Sequence, residues 1–218
     1  MRWPWGRIPA APVCDLVQYW DRKDPPAAVA KLMKTWSRDR TFVCHRYDRD
    51  AAEAFIAAHF DADVLAAFRT CAAPAMQSDL FRYCRLYVTG GLYLDADTRN
   101  LGGLDRLIAS TGRGLLMSRR QRVATDVLFV RAPGDPLLER VIKQSVVNIE
   151  ARISDNVWHV AGPGVVNRLY RKADAGLFEG FTFLPRETIS QSVGFVRMAY
   201  GADVHDWRNP DGPVFGPS

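Results

Sequence analysis

Ser78-Asp79-Leu80-Phe81-Arg82-Tyr83-Cys84-Arg85-Leu86-Tyr87-Val88-Thr89-Gly90-Gly91-Leu92-Tyr93-Leu94-Asp95-Ala96-Asp97 is the stretch that decides how this chain is read. Leu80, Tyr83, Cys84 and Tyr87 recur at the steps of one helix face, which predicts a helix over 75–89. Gly90 suits a left-handed cap that would end it. Leu92 to Leu94 then reads as a short apolar strand feeding two carboxylates, Asp95 and Asp97. On extended backbone, at about 3.3 Å per residue, their Cα atoms would stand roughly 6.5 Å apart on one face. At an effective dielectric of about 20, two such charges repel by about 2.5 kcal/mol. A divalent cation between them removes that repulsion and can then hold a diphosphate. An acid pair alone would equally suit a solvated strand end. The helix upstream, with Asp79 and Arg82, gives the pair a context.

Outward from that segment, strand and helix patterns alternate. Val13 to Trp20 is an apolar run fit for a buried strand, and Pro25-Pro26 opens a helix. In that helix Val29, Leu32, Met33 and Trp36 form an amphipathic stripe. Thr41 to His45 reads as a second strand, followed by alanine-rich helices over 50–59 and 61–70. Beyond the acid pair, strands are expected at 114–117, 126–131, 157–161 and 181–184. Helices are expected at 135–150 and 163–173. This alternation argues an α/β sheet with helices packed on it. One domain over 1–208 is expected, followed by an irregular tail over 209–218 that holds three prolines and two glycines.

Composition narrows the function classes. Of 218 residues, 48% are hydrophobic and 24% charged, the balance of a soluble globular chain that can bury a core without staples. The net charge of +5 comes largely from arginine, which pairs well with phosphate. Cys14, Cys44, Cys71 and Cys84 form no C-x-x-C, and a reducing cytoplasm is the simpler inference. There is no run of 18 apolar residues, and the opening Met-Arg-Trp-Pro-Trp-Gly-Arg lacks the apolar segment of a secretory signal. Its two tryptophans leave peripheral contact with the inner membrane open. A basic stripe interleaved with aromatics is missing, so a nucleic-acid partner is not expected. Arg119, Arg120 and Arg122 read most simply as a solvated loop, with contact to an acceptor or a phosphate as the alternative.

With these residues in view, the chain resembles glycosyltransferase family 32, in its DXD sugar-binding region. That family includes mannosyltransferases and capsular-polysaccharide and lipooligosaccharide sugar transferases, and the same layout occurs in the large clostridial glucosylating toxins. Its pattern is small-Asp-Leu-x-Arg-Tyr, then Leu-Tyr-x-x-Gly-Gly-x-Tyr-x-Asp-x-Asp, and Ser78 to Asp97 fills every position. Ile8-Pro9, Val17 to Trp20, Pro25, Leu32, Trp36 and Tyr47-Asp48 follow the family opening. The well-matched part spans residues 8 to 110.

The resemblance implies a GT-A-like, Rossmann-related central mixed sheet flanked by helices, which binds a UDP- or GDP-sugar with Mn²⁺ or Mg²⁺. It makes Asp97 the metal ligand and places Asp95, helped by Tyr93, against the donor's ribose and sugar. Asp79 and Arg82 would orient the transferred sugar, and Trp20 would stack on the base. His205 is the candidate for a further metal ligand, with Trp207 and Asp126 on the nucleotide-sugar side. Many relatives have asparagine near Asp126, and Thr-Gly-Pro where this chain has Ala161-Gly162-Pro163. The implied activity is metal-dependent, retaining transfer of a hexose to a hydroxyl acceptor: a glycan, a lipid-linked sugar or another precursor in polysaccharide biosynthesis. Two alternatives remain at this stage. One is a toxin- or effector-like enzyme acting on a protein side chain. The other is a non-catalytic sugar-nucleotide or nucleic-acid binding module.

Overall fold

Gly90 and Gly91 turn the chain from helix to sheet at positions no other residue would fill cheaply. A computed structural model describes residues 14–171, 175–197 and 213–216. Gly90 ends its helix at φ 65° and ψ −162°, a positive-φ corner outside the left-handed cap that the sequence led us to expect. Gly91 has φ 100°, and a Cβ there would meet the Asp15 carbonyl oxygen at 2.8 Å. Glycine therefore sets how closely this strand lies against its neighbour.

The elements in chain order are β1 (Cys14–Tyr19), α1 (Ala27–Ser37), β2 (Phe42–Tyr47), α2 (Arg49–His59), α3 (Ala62–Thr70), α4 (Pro74–Thr89), β3 (Gly91–Leu94), β4 (Thr98–Asn100) and α5 (Leu104–Ala109). They continue with β5 (Gly114–Arg119), β6 (Arg122–Val130), α6 (Pro136–Glu150), α7 (Val157–Val160), α8 (Pro163–Arg171), α9 (Ala175–Phe178), β7 (Phe181–Pro185), α10 (Arg186–Ile189) and β8 (Val193–Phe195). The main sheet runs β2-β1-β3-β6-β5-β7, and β4 pairs with β8 in a separate ribbon. Strands β2, β1 and β3 are parallel, β6 is antiparallel to both β3 and β5, and β7 is parallel to β5. The central mixed sheet flanked by helices is therefore present.

Two consequences of this order position the site. From β1 the chain first adds β2 on one side and then β3 on the other, so a crevice opens where the order reverses. The strand directions also bring the ends of β1 and β3, the start of β6 and the end of β5 to one edge of the sheet. Both faces of the sheet are covered. Leu80, Phe81 and Tyr83 of α4 pack on one face with Val141 and Ile149 of α6 and Val165 of α8. Trp36 of α1, Leu104 and Ile108 of α5 and Ile189 of α10 pack on the other. The α1 stripe of Val29, Leu32, Met33 and Trp36 is buried as its spacing predicts.

Residues 157–161, expected as a strand, instead form the helical turn α7. The Asn156 side chain caps it, accepting the Trp158 N–H at 3.0 Å. A short apolar run does not distinguish a strand from a buried turn of helix. In the tail, residues 213–216 dock at the junction of α3 and α4: the Val214 carbonyl accepts the N–H groups of Ala72 and Ala73, and Phe215 bridges Cys71. The rest of that segment lies outside the described residues. Among the described residues no helix is long and apolar enough to cross a membrane.

The β5–β6 hairpin closes in two residues, with Arg119 paired to Arg122. Both loop residues are left-handed, Arg120 at φ 47° and Gln121 at φ 59°. Such tight turns favour Asn-Gly, and an ordinary side chain at positive φ costs about 1–2 kcal/mol.

Candidate active site

Arg82 organises one wall of the crevice. It sits inside α4 and is 5% exposed, yet every edge of its guanidinium is occupied. Its terminal nitrogens reach Asp79 Oδ1 and Asp95 Oδ1, each at 3.1 Å, and donate to the Thr125 carbonyl at 2.7 Å and Ser78 Oγ at 3.1 Å. The Tyr93 ring lies beneath the guanidinium, 4.3 Å from Cζ, with its hydroxyl 2.6 Å from Ser78 Oγ. Tyr93 is 1% exposed, so its contact is with Arg82 and Ser78 more than with open space.

The acid pair follows at the end of β3. The Asp95 N–H donates to the Asp126 carbonyl at 3.0 Å, and the Asp95 carbonyl accepts the Thr98 N–H and hydroxyl at 3.2 and 2.7 Å. Asp95-Ala96-Asp97-Thr98 is thus a tight turn, and the extended-strand spacing expected from sequence does not apply. On its far side the Val196 N–H donates to the Asp97 carbonyl at 3.1 Å. Ala96 packs with Val29, Met33 and the half-buried ring of Trp20, which couples the end of β1 to the acidic turn.

These groups line one cleft of about 1430 Å³ that contains Trp20, Asp79, Arg82, Tyr93, Asp95, Asp97 and Asp126. The seven candidates within the described residues are therefore brought together. His205 and Trp207 lie outside the described residues. Val214 lines the cleft.

Four carboxylates share this space with one buried guanidinium. Burial raises the Asp79 carboxyl to about 6, against the pull of Arg82 and with the help of Asp126. Burial likewise raises Asp95, opposed by Arg82 and reinforced by Asp126, Asp97 and Asp79. It raises Asp126 too, against its backbone hydrogen bond and Arg82. For Arg82, burial disfavours the charge, but Tyr93, Asp95 and Asp79 together hold it on. Asp79, Asp95, Asp97 and Asp126 together make an oxygen-donor set beside Arg82. That donor set suits a hard, oxygen-ligated divalent cation. Among the described residues no three His, Cys, Asp or Glu side chains converge as a metal cluster. Asp95 and Asp97 alone offer two carboxylates to such a cation.

Several cleft residues had no site role assigned from the sequence. Thr125 and Ser78 complete the Arg82 shell. Gly162 lets the loop before α8 approach α4, since a Cβ there would lie 3.0 Å from Asp79 Oδ2 and 2.8 Å from Trp158 Cα. Trp158 and Arg119, Arg120 and Arg122 also line the cleft. The Gly162-Pro163-Gly164 run was the available clue, because clustered glycines mark close approach.

Residues 13–113 match the family described as "Glycosyltransferase sugar-binding region containing DXD motif". Over residues 13–113 the chain is of the DXD glycosyltransferase type, and Asp95-Ala96-Asp97 is the motif there. A search of curated protein sequences finds no match. Among solved structures, "PaToxG Glycosyltransferase" aligns with a TM-score of 0.54 at 16% identity, over 75% of this chain and 72% of that one. At that identity the likeness is one of fold.

Proposed function

We propose that this glycosyltransferase moves a hexose from a nucleotide-sugar donor to a hydroxyl acceptor, with a divalent cation at Asp97 and Asp95. The observation that carries this reading is the gathering of Trp20, Asp79, Arg82, Asp95, Asp97 and Asp126 around one cleft. The cation would neutralise the charge that a departing diphosphate develops. The protein's own residues do the remaining work. Trp20 offers a flat apolar face to the base, held by Ala96 and Met33. Arg82, locked by Ser78, Thr125 and Tyr93, fixes Asp79 and Asp95 as acceptors for sugar hydroxyls before the donor arrives. Asp126 adds a third carboxylate on the sugar side. Retention of anomeric configuration is part of the proposal, with the acceptor hydroxyl entering on the face from which the diphosphate leaves.

The test is turnover. UDP- and GDP-hexoses are incubated with Mn²⁺ or with EDTA, and released nucleoside diphosphate is measured with water as the default acceptor. One donor should be hydrolysed only in the presence of the cation, and Asp97→Asn should lower that rate by about 100- to 1000-fold with the fold intact. Turnover that survives EDTA, or an undiminished rate in the variant, would reject the assignment.

A further inference from the structure

Beyond the acidic groups, at its tip, the β5–β6 hairpin presents Arg119, Arg120 and Arg122 to the same cleft. All three are exposed, and among the described residues none lies within ion-pair distance of a carboxylate. Arg122 stands over the Trp158 ring, 5.7 Å from its centroid. The two residues also border a smaller adjoining hollow of about 450 Å³ with Asn156, His159 and Arg171. The aromatic floor is built for its place: a Cβ on Gly164 would meet the Trp158 carbonyl oxygen at 2.4 Å and its ring at 2.6 Å. The arginines sit on a tip whose loop residues hold left-handed backbone where Asn-Gly would relax it. A sequence that accepts strain to carry charge at a cleft mouth suggests a binding role for that charge.

The strand order says which substrate this wall meets. Trp20 is at the end of β1, the acidic turn at the end of β3, Asp126 in β6, and the arginines at the β5–β6 tip, in the sequence of the sheet. A donor laid from base to sugar along that line ends at Asp126, and the arginines lie beyond it. Resting on the donor reading above, we propose that the acceptor is a phosphate-bearing sugar, its ring on Trp158 and its phosphate held by Arg120 and Arg122. Guanidinium groups suit phosphate by their paired donors, and a tryptophan face suits a sugar ring. The acceptor hydroxyl then approaches from the side away from the base.

Calorimetric titration tests this on the full chain with Mn²⁺. Hexoses, their 1- and 6-phosphates and the matching methyl phosphodiesters are the probes, with UDP and GDP titrated separately. At least one phosphate-bearing hexose should bind about tenfold more tightly than its neutral twin. A monoester preference marks a free sugar phosphate as the source, and a diester preference marks a headgroup joined through phosphate; either supports the proposal. The double substitution Arg120→Asn with Gln121→Gly should melt higher, because the turn relaxes, yet lose that preference. Arg122→Gln should weaken it as well, with nucleotide affinity within about twofold of the parent. Equal binding of phosphorylated and neutral hexoses would overturn the proposal. So would an equal loss of UDP or GDP binding in these variants, which would assign the arginines to the donor. If neither nucleotide binds the parent protein, the donor reading falls, while the hexose comparison still decides this one.

Discussion

The two walls of the cleft are built on opposite plans. The α4–β3 wall is interior chemistry: Arg82 is buried and fully bonded, and its carboxylates are tuned by burial and by one another. The β5–β6 and α7 wall is surface chemistry, with exposed arginines on a strained tip and a tryptophan seated over glycine. A preorganised wall suits fixed hydrogen-bond partners such as sugar hydroxyls. An exposed basic wall suits charge. The difference also sets how mutation acts: loss of Arg82, which holds the first wall together, should cost stability and chemistry together, whereas loss of the exposed arginines should cost mainly affinity.

Arg82→Gln should break the contrast hardest. It strands Asp79 and Asp95 beside an amide, and removing one member of a buried ion pair costs about 3–5 kcal/mol. Denaturant unfolding should show that loss. A change under about 1 kcal/mol, the value of a surface pair, would mean the wall is not preorganised around this residue.

The acidic wall also makes a pH prediction. The Asp79 carboxyl in the folded protein titrates at about 6, above its ordinary 3.8. Between those values the folded state holds a proton that the unfolded chain has lost, so stability falls as pH rises through that window. A shift of that size corresponds to at most about 3 kcal/mol. With divalent cations removed, melting of Asp79→Asn and the parent from pH 4 to 7 should move in favour of the variant as pH rises. Parallel curves would refute the assignment of the shift to Asp79.

Gly164→Ala probes the other wall. Its Cβ would collide with the Trp158 backbone and ring, and overpacking of this kind costs about 1–3 kcal/mol. The melting temperature should fall while UDP and GDP affinity holds. Trp20→Ala should do the reverse: loss of a stacking face worth about 1 kcal/mol weakens nucleotide affinity roughly fivefold, with a smaller cost in stability.

How legible each wall was in the sequence follows from the same contrast. The α4–β3 wall is contiguous: the helix period, the paired glycines and the two aspartates all lie within twenty residues of one another, from Ser78 to Asp97. Local rules sufficed there, although they missed that the acid pair stands on a turn fixed by Thr98 and Asp126. The second wall is assembled from residues 119–126 and 154–164, which meet only through the sheet order and the approach of Gly162 to α4. Trp158 was read as part of a strand because an apolar run of five carries no period. The arginine cluster was read as solvated because nothing near it in sequence reveals a cleft.

Nucleotide titration of the parent and Asp97→Asn, each with Mn²⁺ and with EDTA, tests most directly whether the acidic wall holds a cation that in turn holds a diphosphate. UDP or GDP should bind the parent only with the metal present, and the variant should bind at least about tenfold more weakly at an unchanged melting temperature. Equal nucleotide affinity with and without the metal, or an unaffected Asp97→Asn, would contradict the account.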